Sequence, residues 1–429
     1  MIYFKILKNI RKEHNLSQGD LAKMTGYTVD YIRSLEENED SRKLVTPEFV
    51  SNLRDKLGLH GVLITDDERD AFEKSLHKWK ILIDYGIMDR AAAQMPGLVK
   101  SAQACYSPST QITCSIYVAH YHLATRDMAA FNKTMLELCE RKQAFNRKHH
   151  FYYQCLVGRY ALIEERYKDA LVAFDKAEKL EKEDKWSDVT FYYAYGLCLT
   201  EMEYINRAIK YLEKALHLAM WQKSYNGKPN KRYSVYIEGL LAQNLGMIGK
   251  SEEALAILKR RLNNEMRTKK SRQSIGCTYL VYSKVYDNAG NYTEAMKNLE
   301  KAEEYLEEGS EQYLSCLYHK ALMLIDSGSA SLSMDILDKG LSMSVEGTVW
   351  EVLFNALRHS LTLANPESLE YMTNTAVPKL QKYGHREKVL RYCKLIARFH
   401  QENSNFTQAF EFLNLTLDIC EQFYKERVI

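Results

Sequence analysis

Small residues recur in pairs twelve positions apart, each pair followed at a fixed distance by one bulky and one further small residue. Gly158 and Ala170 lead to Phe174 and Ala177, Gly196 and Ala208 to Leu212 and Ala215, and Ser283 and Ala295 to Leu299 and Ala302. Looser copies are Ala242, Ala254 and Leu258, where Arg261 breaks the last position, then Ala321, Ser333, Leu337, Gly340 and Ala397, Ala409, Leu413, Thr416. A small residue on each of two antiparallel helices lets their backbones approach, and a bulky side chain one turn later fills the groove between them. Turn-forming stretches fall midway, as in Gly249-Lys250-Ser251-Glu252-Glu253 and Gly290-Asn291-Tyr292-Thr293-Glu294. Only 6 Pro and 19 Gly punctuate the 429 residues, too few to turn the many short strands of a sandwich or barrel. The pattern therefore predicts an all-α chain of helical hairpins.

These hairpins resemble the tetratricopeptide repeat. With the second helix as marker, units fall at Ala170, Ala208, Ala254, Ala295, Ser333 and Ala409, with weaker candidates at Ala91, Phe131 and Ser368. About nine hairpins would occupy residues 66–429, spaced by 35 to 46 residues. That is longer than the standard repeat of about 34. The longest step holds a loop, Lys223 to Arg232, that carries four positive charges. The resemblance implies a right-handed superhelical solenoid whose first helices line a concave face, a surface suited to peptides or partner helices.

Residues 1–65 lack the repeat and read as a separate unit of short helices. Ser17 is placed to cap a helix from Gln18 to Met24, Gly26 supplies a tight turn, and Thr28 caps the next helix to about Glu37. A helix, a short Gly-containing turn and a second helix form the arrangement that sets a recognition helix into the major groove of DNA. Leu16-Ser17-Gln18-Gly19-Asp20-Leu21-Ala22, followed by Gly26-Tyr27-Thr28-Val29-Asp30-Tyr31-Ile32-Arg33-Ser34-Leu35-Glu36, resembles a lambda-repressor or Xre-type domain. That resemblance gives Gln18 the role of a phosphate anchor and Ala22, Ile32 and Leu35 that of core. Glu39 stands where the family often has Gly after Asn38.

Sequence readout falls to Val29, Asp30, Arg33 and Ser34, with the Arg33 fork suited to guanine, Val29 to a thymine methyl and Asp30 to a cytosine amine. Ser17, Gln18, Arg42 and Lys43 would hold phosphates. Residues 1–58 carry ten Lys or Arg and nine Asp or Glu, so charge alone does not point to DNA and tight binding needs a dimer on two half-sites.

An Xre-type unit followed by long tetratricopeptide-like repeats is similar to the peptide-pheromone receptors of Gram-positive bacteria called RRNPP regulators. The resemblance implies a cytoplasmic quorum-sensing regulator. It would bind a palindromic operator on double-stranded DNA as a homodimer, switched by a short signalling peptide in the concave face. Register places Arg159, Tyr193, Tyr236, Gln243, Lys284, Asp287 and Asn288 on that face, together with His120. Gln243 and Asn288 can each offer a donor and an acceptor to a peptide bond, while Arg159 or Lys284 can meet a carboxylate. Asn244 lies out of this register.

Catalysis has no support in the motifs. There is no Gly-rich phosphate loop, HExxH or GxSxG, and nine scattered Cys without CxxC argue against zinc and disulfides, so no cofactor or metal is expected. No run of 18 apolar residues or signal region suggests a membrane or export route. The reading from a different class is a repeat scaffold for a protein partner, with DNA binding incidental or lost.

Overall fold

A computed structural model describes residues 4–37, 45–184, 186, 188–221, 230–268 and 271–427. Among them there is no strand, only an isolated bridge between Leu63 and Cys105. The chain divides into two compact units, one mainly of residues 1–156 with 176–185, the other of 157–175 and most of the chain from 186 onward.

The first unit opens with α1 (Phe4–Glu13), α2 (Gln18–Thr25), α3 (Val29–Glu37) and α4 (Pro47–Leu57). Leu7, Ile10, Leu21, Ala22, Ile32, Leu35, Phe49 and Leu53 form a core of their own, as the spacing of apolar residues requires. Two hairpins follow in the same unit, α5 (Asp66–Asp84) with α6 (Met88–Gln103), and α7 (Pro108–Ala124) with α8 (Met128–Glu140). Arg54 of α4 pairs with Glu68 of α5, and Glu68 also closes a capping box with Thr65.

Five plain hairpins come next: α9 (Arg147–Ile163) with α10 (Tyr167–Asp184), α11 (Val189–Glu201) with α12 (Ile205–Trp221), α13 (Lys231–Met247) with α14 (Ser251–Arg267), α15 (Arg272–Asn288) with α16 (Tyr292–Tyr305), and α17 (Glu311–Asp326) with α18 (Ala330–Met343). After them α19 (Val349–Ser360) pairs with α20 (Pro366–Tyr371) and α21 (Val377–Tyr383), which are joined through a π turn at Met372–Ala376. Pro378 explains that turn: it lacks an N–H, and its ring would strike the carbonyl of an ordinary α turn. The last hairpin is α22 (Arg386–Glu402) with α23 (Phe406–Arg427).

The marker residues Ala91, Phe131, Ala170, Ala208, Ala254, Ala295, Ser333, Ser368 and Ala409 are all buried in the second helices of successive hairpins. Close approach is measurable at the first helices. A Cβ on Gly158 would lie 2.8 Å from the Phe174 ring, and one on Gly196 would lie 2.7 Å from Leu212 Cδ2. The broken copy is accommodated from the other side, because Gly239 leaves the space that Arg261 Nη1 occupies 2.2 Å from where a Cβ would be. Arg261 is buried there against Glu265 at 3.1 Å, whose carboxylate also accepts from Ser274 Oγ and Thr278 Oγ1 at 2.7 Å each.

A second register emerges only in the fold. Seven residues after each small residue of the first helix the backbone turns left-handed, at Glu165, Glu203, Gly249, Gly290, Gly328 and Ser404. Glycine adopts that conformation freely, whereas a residue with a Cβ gives up roughly 1–2 kcal/mol. Glu165 and Glu203 accept this penalty.

Gly196→Leu should overpack α11 against α12 and lower stability by roughly 1–3 kcal/mol. Gly97→Ala, where a Cβ meets nothing within 4 Å, should raise it by about 0.5–1 kcal/mol. Urea melts compare the two, and equal responses would contradict close approach at Gly196.

Candidate functional site

Two candidate sites form, one in each unit. In the first, Ser17 Oγ accepts from Asp20 N at 3.1 Å while Asp20 Oδ2 accepts from Ser17 N at 2.9 Å, a reciprocal cap that starts α2. Gly26 ends α2 in the left-handed region at φ 79°. Thr28 Oγ1 then accepts from Tyr31 N at 3.2 Å and starts α3. Tyr27 stacks on Tyr31 at 4.9 Å and meets Phe49 edge-on at 5.1 Å, which fixes the turn against α4.

Alternation along α3 follows from the helical period. Ile32, Leu35 and Glu36 are buried, whereas Val29, Asp30 and Arg33 face solvent. Arg33 Nη1 lies 3.0 Å from Asp30 Oδ1, an exposed pair with little hold on the guanidinium. Ser34 is half-buried and donates to Tyr31 O at 2.8 Å. Arg42 and Lys43 lie outside the described residues.

Sequence reading missed the interaction that holds this helix. Arg11 Nε and Nη2 donate to the two oxygens of Glu36 at 2.6 and 2.8 Å, and Arg11 Nη1 donates to Leu16 O at 2.9 Å. Gln18 Nε2 donates to Glu36 Oε2 at 2.9 Å, so one amide hydrogen is engaged inside the unit while the nitrogen keeps a second donor for an outside acceptor. Burial alone would raise the Glu36 carboxyl, but hydrogen bonds from Arg11 and Gln18 and the Arg11 charge hold it below the usual value. The only sequence signal was an acidic residue on the apolar side of α3.

In the second unit, Arg159 of α9, Tyr193 of α11 and Tyr236 of α13 come together. Tyr193 meets Tyr233 at 5.5 Å and Tyr236 at 6.4 Å. Burial and the neighbouring phenols push the Tyr193 hydroxyl up while Arg159 opposes. Lys284 and Asp287 of α15 belong to a different group. Asp287 Oδ2 lies 3.4 Å from His319 Nε2. Lys284 is held below its ordinary value by burial and Lys388, opposed by Glu201. Among the described residues the side chains of Gln243, which is half-buried, and Asn288, which is exposed, bond to neither group. His120 is instead packed inside the first unit, with Nε2 2.8 Å from Asp84 Oδ1. Asn244 is fully buried and donates to Thr200 Oγ1 at 2.8 Å, tying α13 to α11.

The fold adds carboxylates that the sequence did not single out. Burial and then Glu311 and Glu201 push the Glu165 carboxyl up to about 7. Glu201 is raised by burial, with Lys388 and Lys284 opposing. His319 is driven down to about 3 by burial, Lys284 and Lys388. Glu201, Lys284, Asp287, His319 and Lys388 thus make a polar group drawn from α11, α15, α17 and α22 of the second unit. It can receive a ligand with both charged and backbone polar groups. A glutamate at a register position where sister repeats carry glycine was the available signal for Glu165.

A helix-turn-helix family matches residues 7–61. The transcriptional activator NprA of Geobacillus stearothermophilus is 19% identical over 401 residues, 91% of this chain and 96% of NprA. The crystal structure of NprR in complex with its cognate peptide NprX superposes with a TM-score of 0.68 at 18% identity, over 82% of this chain and 99% of that one. A Rap protein complexed with competence and sporulation factor gives a TM-score of 0.68 at 15% identity, over 83% and 99%. The helical repeat solenoid is common ground with the two solved structures, and the helix-turn-helix unit with the matched family. Among the described residues no helix is long and apolar enough to cross a membrane.

Glu36→Ala should leave Arg11 in a mostly buried site without its counter-ion and destabilise the α1–α3 packing by about 3–5 kcal/mol. Because the folded carboxyl is depressed, its contribution is complete above the unfolded value of about 4.3 and is lost as pH falls through the folded value. Protection of the α3 amides, corrected for intrinsic exchange, should therefore fall more in the wild type than in Glu36→Gln as pH drops below about 4.3, with parallel behaviour above it. Parallel profiles throughout would remove Glu36 from that role.

Proposed function

We propose that this chain is an RRNPP-type transcriptional regulator: a helix-turn-helix unit, residues 1–65, that binds operator DNA, joined to a repeat domain, residues 66–429, that receives a short signalling peptide. The observation that carries it is the combination of an α3 whose Val29, Asp30 and Arg33 are exposed on one face with a solenoid in which half-buried Glu201 and Lys284 neighbour Lys388. Similarity to an activator along nearly the whole chain, and to a solenoid solved with its cognate peptide, supports the same reading.

In this reading Arg33 reads a guanine, Val29, Asp30 and Ser34 contact neighbouring bases, and Ser17, Gln18, Thr28, Arg42 and Lys43 hold the backbone. Gln18 would use the second hydrogen of its amide nitrogen, or release Glu36, to do so, since one hydrogen is engaged. The peptide lies along Arg159, Tyr193, Tyr236, Gln243, Lys284, Asp287 and Asn288. Gln243 and Asn288 bond its backbone, and Lys284 or Arg159 meets a carboxylate. Nothing here calls for an enzyme or a cofactor, and the regulator works in the cytoplasm.

Dimerisation on a palindromic operator completes the proposal. Support comes from α23, where Phe406, Phe410, Leu413 and Leu417 are 50–65% exposed along one stripe. Leu413 occupies the register position that Phe174, Leu212, Leu258, Leu299 and Leu337 bury completely in earlier hairpins. A second copy of α23 offers the apolar helix that such a stripe lacks.

Binding selection from random double-stranded DNA should return a near-palindromic site. Arg33→Ala should lose about 1–3 kcal/mol of discrimination at one base position, whereas Gln18→Ala should weaken all sequences alike. Equal loss on specific and random DNA would take Arg33 out of the readout, and no selected site would favour the scaffold reading. Gln243→Ala with Asn288→Ala should abolish the response of operator affinity to peptide, at about 1–3 kcal/mol for each unpaired peptide group, while melting stays unchanged. Calorimetry with exported peptides encoded beside the gene measures it, and unchanged binding would refute the groove assignment.

A further inference from the structure

We propose that the turn after α11 is a clasp, in which Glu203 caps the first turn of α22 across four intervening hairpins, and that opening of this clasp gates the inner face of the second unit. The gating half rests on the reading that this face takes a peptide.

A hairpin in a solenoid touches its neighbours and nothing further along. Here the Glu387 amide donates to Glu203 Oε1 at 3.0 Å across a separation of 184 residues. Three contacts flank it. The Arg386 guanidinium stands 5.6 Å over the Tyr204 ring, His385 meets Tyr167 edge-on at 6.0 Å, and a Cβ on Gly384 would lie 3.5 Å from Met202 Sδ. Four consecutive residues before and inside α22 therefore sit against two successive turns, those of Tyr167 and Glu203.

The bond does for α22 what a local side chain does elsewhere. Asp188, Ser271, Asn291 and Ser310 cap α11, α15, α16 and α17 with their own side chains. His385, at the equivalent position of α22, makes no such bond. Glu203 supplies the missing acceptor and places a carboxylate at the positive end of the helix dipole. It does so from a left-handed backbone, φ 63°, in the register position that Gly249, Gly290 and Gly328 fill in sister hairpins. A glutamate is the wrong residue for that turn and the right one for the distant cap.

The clasp also borders the charged interior. Glu201 lies two residues before Glu203, and Lys388 one residue after Glu387; the Lys388 and Lys284 charges oppose the rise that burial gives the Glu201 carboxyl. Release of α22 separates Lys388 from Glu201 and frees both for a ligand's charges, so peptide entry and exit each require the cap to open.

Glu203→Gly tests this without endangering the turn, because glycine is what the sister hairpins use there. Hydrogen exchange on the full chain is the first readout. Glu387 and Lys388 amides should exchange roughly tenfold faster in Glu203→Gly, as loss of an N-cap acceptor implies. Asn291→Ala, which uncaps only α16, should leave them unchanged. Glu203→Gln, which keeps the acceptor without the charge, should fall between. Unaltered Glu387 exchange in Glu203→Gly overturns the clasp. The second readout is stopped-flow binding of the heptapeptide selected by the wild type from a random heptapeptide library. Association and dissociation should both accelerate in Glu203→Gly. Faster exchange with unchanged peptide rates overturns the gate but not the cap. Failure of the wild type to select any heptapeptide overturns the peptide reading and the gate together, with the exchange arm still deciding the cap.

Discussion

Close approach between the two helices of a hairpin is the constraint on which the repeat stack depends. Where Gly158 meets Phe174 and Gly196 meets Leu212, the backbone of one helix touches the side chain of the next with no room for a methyl group. Such contact fixes the pairing of helices within a hairpin, and the pairing fixes which faces remain for neighbouring hairpins and for ligands. The exception shows the rule from its other side. Arg261 fits at a position where other hairpins carry Ala, Gly or Thr because Gly239 has no side chain there, and because Glu265, itself bonded by Ser274 and Thr278, pairs with the buried charge. One partner without the other would leave either a clash or a void.

Within the DNA-facing unit the equivalent anchor is electrostatic. Glu36 ties α3 to α1 through Arg11 and to α2 through Gln18, so the exposed face of α3 is held by a carboxylate on its buried face. Packing and solvent exposure are thereby served by opposite sides of the same nine residues. The two sets of groups do not compete for space.

The second unit joins function to a feature that a linear stack does not need. Repeats that touch only their neighbours transmit small changes additively along the array. A contact between the second of these turns and α22 converts part of that array into a closed element with two states, clasped and released. Two-state elements are what ligands bias, in proportion to their difference in affinity for the states.

Helix pairing and the bounds of α2 and α3 were legible in the residues because each is dictated locally. A small residue at a helix crossing, a Ser or Thr at a cap and a Gly in a turn are required by sterics and hydrogen bonding within one or two turns of chain. Ala170, Ala208, Ala254 and Ala295 are buried where the twelve-residue offset put them, and Ser17, Gly26 and Thr28 bound the two helices they were read to bound. What only the tertiary structure decided involves partners far apart in sequence. Glu36 gains its meaning from Arg11 across 25 residues, Asn244 from Thr200 across 44, and Glu203 from Glu387 across 184. Periodicity records which face of a helix is covered. The group that covers a buried charge is set by how separate helices meet, and no local spacing encodes that.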